Sequence, residues 1–253
     1  MRTPALIAAA LFTLATVPAG AQRASDAPLR VLASNGIKAA LERLLPDAER
    51  TIGRRIAVRF SSSAAHTQAI DKGEPFDVAI LTPELVDELT RTGKMRAGSR
   101  ADLATIDLAV GVREGAPRAD ISTPDAIKRR LLAARSLTWT EGGAASAANL
   151  AMLDALGIRE TLTPRIVVQR VPGVASDTVA RGENELVLLP LSEIQGVPGV
   201  AVLGLLPAQF QRPVVMTAGI APQAPGAAAD LVAFLRSTTA ARVLEAAGMK
   251  PAR

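Results

Sequence analysis

The chain has 253 residues, 49% of them hydrophobic, which is material for one large core or two smaller ones. It has no cysteine and a single histidine, which excludes disulfides, thiolate metal sites and histidine-rich metal sites. Aromatic residues are 2% of the chain, tyrosine is absent, and the formal charge of +5 is scattered, so neither a stacking platform nor a basic stripe for nucleic acid is present.

The chain opens "MRTPALIAAALFTLATVPAGAQ", with Arg2, an apolar run from Ala5 to Val17 and the small residues Ala19-Gly20-Ala21. A charged start, a short hydrophobic middle and a small-x-small ending predict a signal peptide over residues 1–21, cleaved after Ala21. The run is too short for a permanent membrane span, and no later stretch is long and apolar enough for one. Removing Arg2 and no acid lowers the +5 to +4. An exported, mildly basic protein slightly favours anionic ligands.

"LRVLA" (29–33) predicts a buried strand, followed by "SNG" and a helix from Ile37 to Ile52 that Pro46 should kink or restart. "IAVRF" (56–60) predicts a second strand, then "SSS" and a short helix from Ala64 to Asp71 ended by Gly73. "FDVAIL" (76–81) is a third strand. "TPELVDELTRTG" is a helix with Thr82 as its cap and Pro83 in its first turn. Asp71, Glu74 and Asp77 read as solvated or turn residues, not metal ligands. The strand–helix alternation predicts a parallel sheet covered by helices.

"TIDLAVGVREG" (105–115) reads as one further strand, and "STPDAIKRRLLAA" (122–134) as a helix. "SLTWT", "RIVVQR" (165–170), "ELVLLP" (185–190), "VAVLGLLP" and "PVVMTAGIA" read as strands. Helices are predicted after "GGAAS", near 175–181, and through "AAADLVAFLRSTTAARVLEAAG" at the end. Trp139 reads as a packing residue.

Three turns share one design: "ASNG" (33–36), "FSSSAA" (60–65) and "TEGGAAS" (140–146) each end a strand and open a helix. Small and hydroxyl residues at a helix start expose backbone N–H groups that, with the helix dipole, suit an anion. In an open α/β sheet such turns lie at the carboxyl ends of strands, where ligands bind. The plainer reading makes Ser34, Ser63 and Ser146 ordinary helix caps. A Ser63–His66 nucleophile pair is a third reading. It lacks both a G-x-S-x-G elbow and an evident orienting acid.

"VLASNGIKAAL", "VRFSSSAAHTQAIDKGEPFDVAIL", "GGAASAANLAMLDALGI" and "AADLVAFLRSTTAARVLEAAGM" together resemble the type II periplasmic solute-binding proteins. Within these the chain is most similar to the molybdate-binding component of ABC transporters. The resemblance implies an α/β fold of two lobes with a ligand cleft between them. The first lobe takes 27–108 and 215–253, the second 109–214. It also implies a periplasmic monomer that binds a molybdate- or tungstate-like oxyanion, hands it to a membrane ABC permease, and needs no cofactor, no metal and no catalysis. The implied ligand-binding residues are Ser34, Asn35, Gly36, Ser63, Ala145 and Ser146, as hydrogen-bond donors. The turn at Ser176 and Asp177 is a further candidate, although Asp177 would oppose an anion.

Two departures stand out. Gly36 sits where the family usually has a serine, and the family's ligand-contacting tyrosine would fall at or near Pro190 in "VLLPLSEI". Losing two donors opens the alternatives of an organic carboxylate ligand or a ligand-free periplasmic adaptor, with an exported serine hydrolase behind them.

Overall fold

The computed structural model describes residues 27–171 and 173–252. The predicted signal peptide and its cleavage after Ala21 lie outside the described residues. β1 (Leu29–Ser34), β2 (Ile56–Ser61) and β3 (Val78–Leu81) alternate with α1 (Lys38–Ile52), α2 (Ser63–Asp71) and α3 (Pro83–Arg91). β4 (Ala101–Ile106) follows, and one residue later β5 (Leu108–Arg113) begins. Next come α4 (Pro124–Ala133), β6 (Leu137–Thr140), α5 (Ser146–Ala155), α6 (Arg159–Leu162), β7 (Ile166–Gln169), α7 (Val174–Ala180), β8 (Leu186–Pro190) and β9 (Val200–Leu205). β10 (Val214–Ile220), α8 (Ala227–Leu235), α9 (Thr238–Ala246) and β11 (Lys250–Pro251) complete the chain.

The strands form two sheets, ordered β11-β4-β10-β3-β1-β2 and β7-β6-β8-β5-β9. Both are mixed, which corrects the expectation of a parallel sheet. β1 runs parallel to β2 and β3, and β6 parallel to β7 and β8. β10 and β5 run antiparallel to both their neighbours. The cause is connectivity. A parallel neighbour needs a long crossover, usually a helix, whereas β5 and β10 are reached directly from the other sheet. For the same reason the single strand expected over 105–115 is two strands, divided at Asp107 and belonging to different sheets.

Central strands are packed on both faces with a period of two. Leu29, Val31 and Ala33 of β1 join a cluster with Leu41, Leu44 and Ala48 of α1, while Leu32 joins Leu81, Val86, Leu89 and Met95 in another. α1 runs through Pro46 without a restart. Pro46 is exposed, so the carbonyl it leaves unpaired can turn to water while the buried face keeps its packing. Asp77 is buried rather than solvated. It accepts from the Arg30 backbone N–H (2.7 Å) and guanidinium (2.9 and 3.1 Å). The final predicted helix is two, divided where Ser237 caps α9 by accepting from Ala240 N–H at 3.2 Å.

The chain passes between the sheets twice, at Asp107 and again over 206–213. One side chain ties these passages together. Gln211 Oε1 accepts from Leu108 N–H (2.9 Å), and its Nε2 donates to the carbonyls of Leu108 (2.9 Å) and Leu206 (3.1 Å). Leu108 is 1% exposed, so its amide has no water to fall back on. Gln211→Leu should therefore destabilise the fold by about 1–3 kcal/mol, read as a lower urea midpoint. A midpoint equal to the parent's would show that the amide clamp carries nothing.

Candidate functional site

The carboxyl ends of β1 and β2 in one sheet and of β8 in the other open onto a shared cavity of about 490 Å³. From the first sheet it is lined by Asn35, Lys38, Ala39 and Glu42 after β1, and by Phe60 and Ser61 ending β2. From the second it is lined by Val171, Gly173 and Ser176 leading into α7, and by Leu189, Ser192, Glu193, Gln195, Gly196 and Val197 after β8. That volume lies in the range of pockets for small organic molecules.

The turn after β8 is the most constrained part of this wall. Leu191 N–H donates to the Asp107 carbonyl (2.9 Å), Ser192 Oγ donates to the Gly36 carbonyl (2.7 Å), and Ser176 Oγ donates to the Glu193 carbonyl (2.8 Å). The Ser192 bond joins the two halves of the cleft. The backbone of Glu193 is thereby fixed, but its carboxylate has no hydrogen-bond or ion-pair partner among the described residues. Glu193 is half-buried and is one of the residues lining the cavity. Desolvation alone pushes its carboxyl up to about 7. The other charged residues of the lining, Lys38 and Glu42, are bonded to each other, and the Lys38 ammonium lies 5.3 Å from the centre of the Phe60 ring.

The sequence-predicted residues divide. Asn35 lines the cavity, with buried Ser34 and Gly36 on either side, and the Gly36 carbonyl is engaged by Ser192. Ser63, Ala145 and Ser146 are not among the lining residues. Ser62 caps α2, accepting from Ala65 N–H at 3.2 Å, which leaves Ser63 in the first helical position with its buried hydroxyl unpartnered. Ser34 makes no side-chain capping bond. Ser146 donates to the Thr140 carbonyl (2.8 Å), so the third turn folds back on itself. None of the three serines acts as the helix cap of the plainer reading.

His66 is fully buried with Nε2 3.0 Å from the Ala33 carbonyl, which makes Nε2 the protonated nitrogen. Burial holds it below the ordinary histidine range, and its Nδ1 has no partner. Ser63 and His66 are not hydrogen-bonded to each other, so they do not form a nucleophile–base pair. Among the described residues no acidic or histidine cluster could hold a metal ion, and no helix is long and apolar enough to cross a membrane.

Sequence reasoning missed Lys38, Glu42, Ser61, Ser192, Glu193 and Gln195 and only partly reached Ser176. One signal was available. "VLLPLSEI" holds the position assigned to the family's tyrosine, and a lone acid flanked by Leu191 and Ile194 directly after a wholly buried strand is anomalous. Gly36 has a local reason of its own. A Cβ there would lie 3.3 Å from Met216 Sδ and 3.5 Å from Ile106 Cδ1.

A two-lobed α/β molecule with its cleft at the carboxyl ends of strands defines the class of periplasmic binding proteins of the second type. The chain belongs to the bacterial extracellular solute-binding protein family, which it matches over residues 29–250. It is 31% identical over 257 residues to an aconitate isomerase of a Pseudomonas species, covering 99% of this chain and 97% of the relative. The periplasmic molybdate-binding protein of Azotobacter vinelandii shares the fold with a TM-score of 0.77 and 21% identity, over 89% of this chain and 100% of the other. The sulfate-binding protein SubI of Mycobacterium tuberculosis does so with a TM-score of 0.71 and 16% identity, over 88% and 86%.

Glu193 should leave a mark on stability. Its carboxyl titrates at 4.5 in the free chain and about 7 when folded. Between those values the folded state holds more protons than the unfolded one. The favourable contribution is therefore complete below 4.5 and lost as pH rises through about 7. Glu193→Gln removes that loss. Relative to the parent, the variant should gain up to about 3 kcal/mol between about pH 4 and about pH 8. Thermal unfolding at both values checks this, and a difference independent of pH would contradict the burial of the carboxyl.

Proposed function

We propose that the cleft binds a small organic polycarboxylic acid, not a bare tetrahedral oxyanion. One observation carries this reading: an acidic residue whose carboxyl has no ion-pair partner lines the cavity, among an apolar set of neighbours. A small oxyanion has no carbon frame to set against the apolar part of the lining, and like any anion it meets repulsion once Glu193 is ionised. A neutral Glu193 carboxyl can donate to a ligand carboxylate, and the carbon frame of an organic acid suits Ala39, Phe60, Val171 and Leu189. Lys38, Asn35 and Ser61 supply a positive charge and donors for its carboxylates. The name of the 31%-identical Pseudomonas relative, which matches this chain nearly end to end, supports an unsaturated tricarboxylic acid in particular.

In this reading residues 1–21 direct export, and the lobes 27–108 with 215–253, and 109–214, close on the ligand in the periplasm. Ligand contacts to both lobes favour the closed form by their difference in affinity for the two states. That form is the one a membrane permease would recognise.

Thermal unfolding of the purified protein against a panel of molybdate, tungstate, sulfate, malate, citrate and the cis and trans propene tricarboxylates tests the reading. A true ligand at about 100 times its Kd adds about 2.7 kcal/mol, a rise of roughly 5–10 °C for a chain this size. The tricarboxylates should give that rise. A rise with molybdate and tungstate alone would return the site to the oxyanion class, and a flat response across the panel would favour the ligand-free adaptor.

A further inference from the structure

We propose that the cleft does chemistry: Glu193 carries a proton between two carbons of a bound unsaturated polycarboxylic acid and so shifts its double bond. The inference rests on the organic-acid reading above and deepens it by giving one wall residue a reactive role.

The geometry is that of a general base rather than a binding group. Glu193 lines the cavity, its backbone carbonyl is held by Ser176, and the adjacent Ser192 is bonded across the cleft to Gly36. Its carboxylate is left without any partner among the described residues. For binding alone such a group is unfavourable in its ionised form, whichever anion is bound. A proton carrier needs a carboxylate on a residue that lines the site, unengaged by the protein, in surroundings that bring its titration into the neutral range. The other charged groups lining the cavity are Lys38 and Glu42, which are bonded to each other, so Lys38, the one cation of the lining, serves a substrate carboxylate by sharing its ammonium with Glu42.

The chemistry balances on the ligand alone. In a propene tricarboxylate the methylene C–H is acidified by its own carboxyl group and by the neighbouring double bond. The Glu193 carboxylate takes that proton. The C–H electron pair spreads over the three-carbon allyl unit and its carboxyl groups, where Lys38 opposes the growing charge. The Glu193 carboxylic acid then returns the proton to the far carbon, and the double bond forms between the central carbon and the former methylene. One C–H bond breaks and one forms, Glu193 ends as the carboxylate it began as, and no oxidant or reductant is needed. The rotamer held about the central single bond when the proton leaves decides whether the product is cis or trans.

The test is incubation of the purified protein with each propene tricarboxylate in heavy water, followed by proton NMR and by calorimetric binding. The parent should interconvert the two isomers and exchange solvent deuterium into the allylic position. The rate should rise with pH through an ionisation near 7. Glu193→Gln should lose at least about 100-fold in rate while its Kd stays within about tenfold, and Glu193→Asp should recover part of the rate. Binding by the parent without exchange or interconversion would overturn the proton transfer and leave the ligand reading standing. A Glu193→Gln variant as fast as the parent would assign the proton to another group and overturn the role of Glu193. Absence of tricarboxylate binding by the parent would take down the ligand reading and this inference together.

Discussion

The cleft depends on how the few residues after β8 are pinned. Leu191 is tied to Asp107 at the passage between the sheets, Ser192 to Gly36 on the opposite wall, and Glu193 through its carbonyl to Ser176. Remove the Ser192 hydroxyl and the Gly36 carbonyl, buried where the two halves meet, loses its partner. A buried acceptor in that state costs more than the bond itself contributes. The same turn therefore joins the two halves of the cleft and fixes the backbone that carries Glu193.

Burial acts on Asp77 and Glu193 alike, and the fold answers it in opposite ways. For Asp77 burial raises the proton affinity, but the hydrogen bonds and charge of Arg30 outweigh it and hold the group below the ordinary aspartate range. Glu193 is left to desolvation alone. The lysine that shares its cavity is bonded to Glu42 on the next turn of α1. Asp77 is a structural ion pair, and its burial is compensated locally. Glu193 is uncompensated, a strain the fold tolerates from packing elsewhere, and strains of that kind concentrate at sites of function.

Much of the architecture was legible because its signals are local. Alternating apolar residues, a hydroxyl-proline helix start at Thr123-Pro124 and glycines after helix ends mark most elements without reference to the rest of the chain. The division at Asp107 was not legible, since "TIDLAVGVREG" stays apolar on both sides and a strand that changes sheets carries no change of composition. Pro46 misled because its effect depends on which face of α1 meets solvent, a property of the packed molecule. The cleft was half legible. The first turn at 34–36 was found from its residues, but its partners at 192–197 lie more than 150 positions away and reach it only when the lobes meet. The three-serine turn drew attention by composition, yet Ser61, the last residue of β2, is the one on the wall.

Gly36 and Met216 belong to different passages of the chain, but the space between them is shared. A side chain at 36 would press on the Met216 sulfur, within 0.1 Å of its terminal methyl distance, and on Ile106 behind it. The two positions are therefore coupled: a serine at 36 would need the flexible end of Met216 to give by a few tenths of an ångström, and a smaller residue at 216 would ease that change while leaving unfilled core behind.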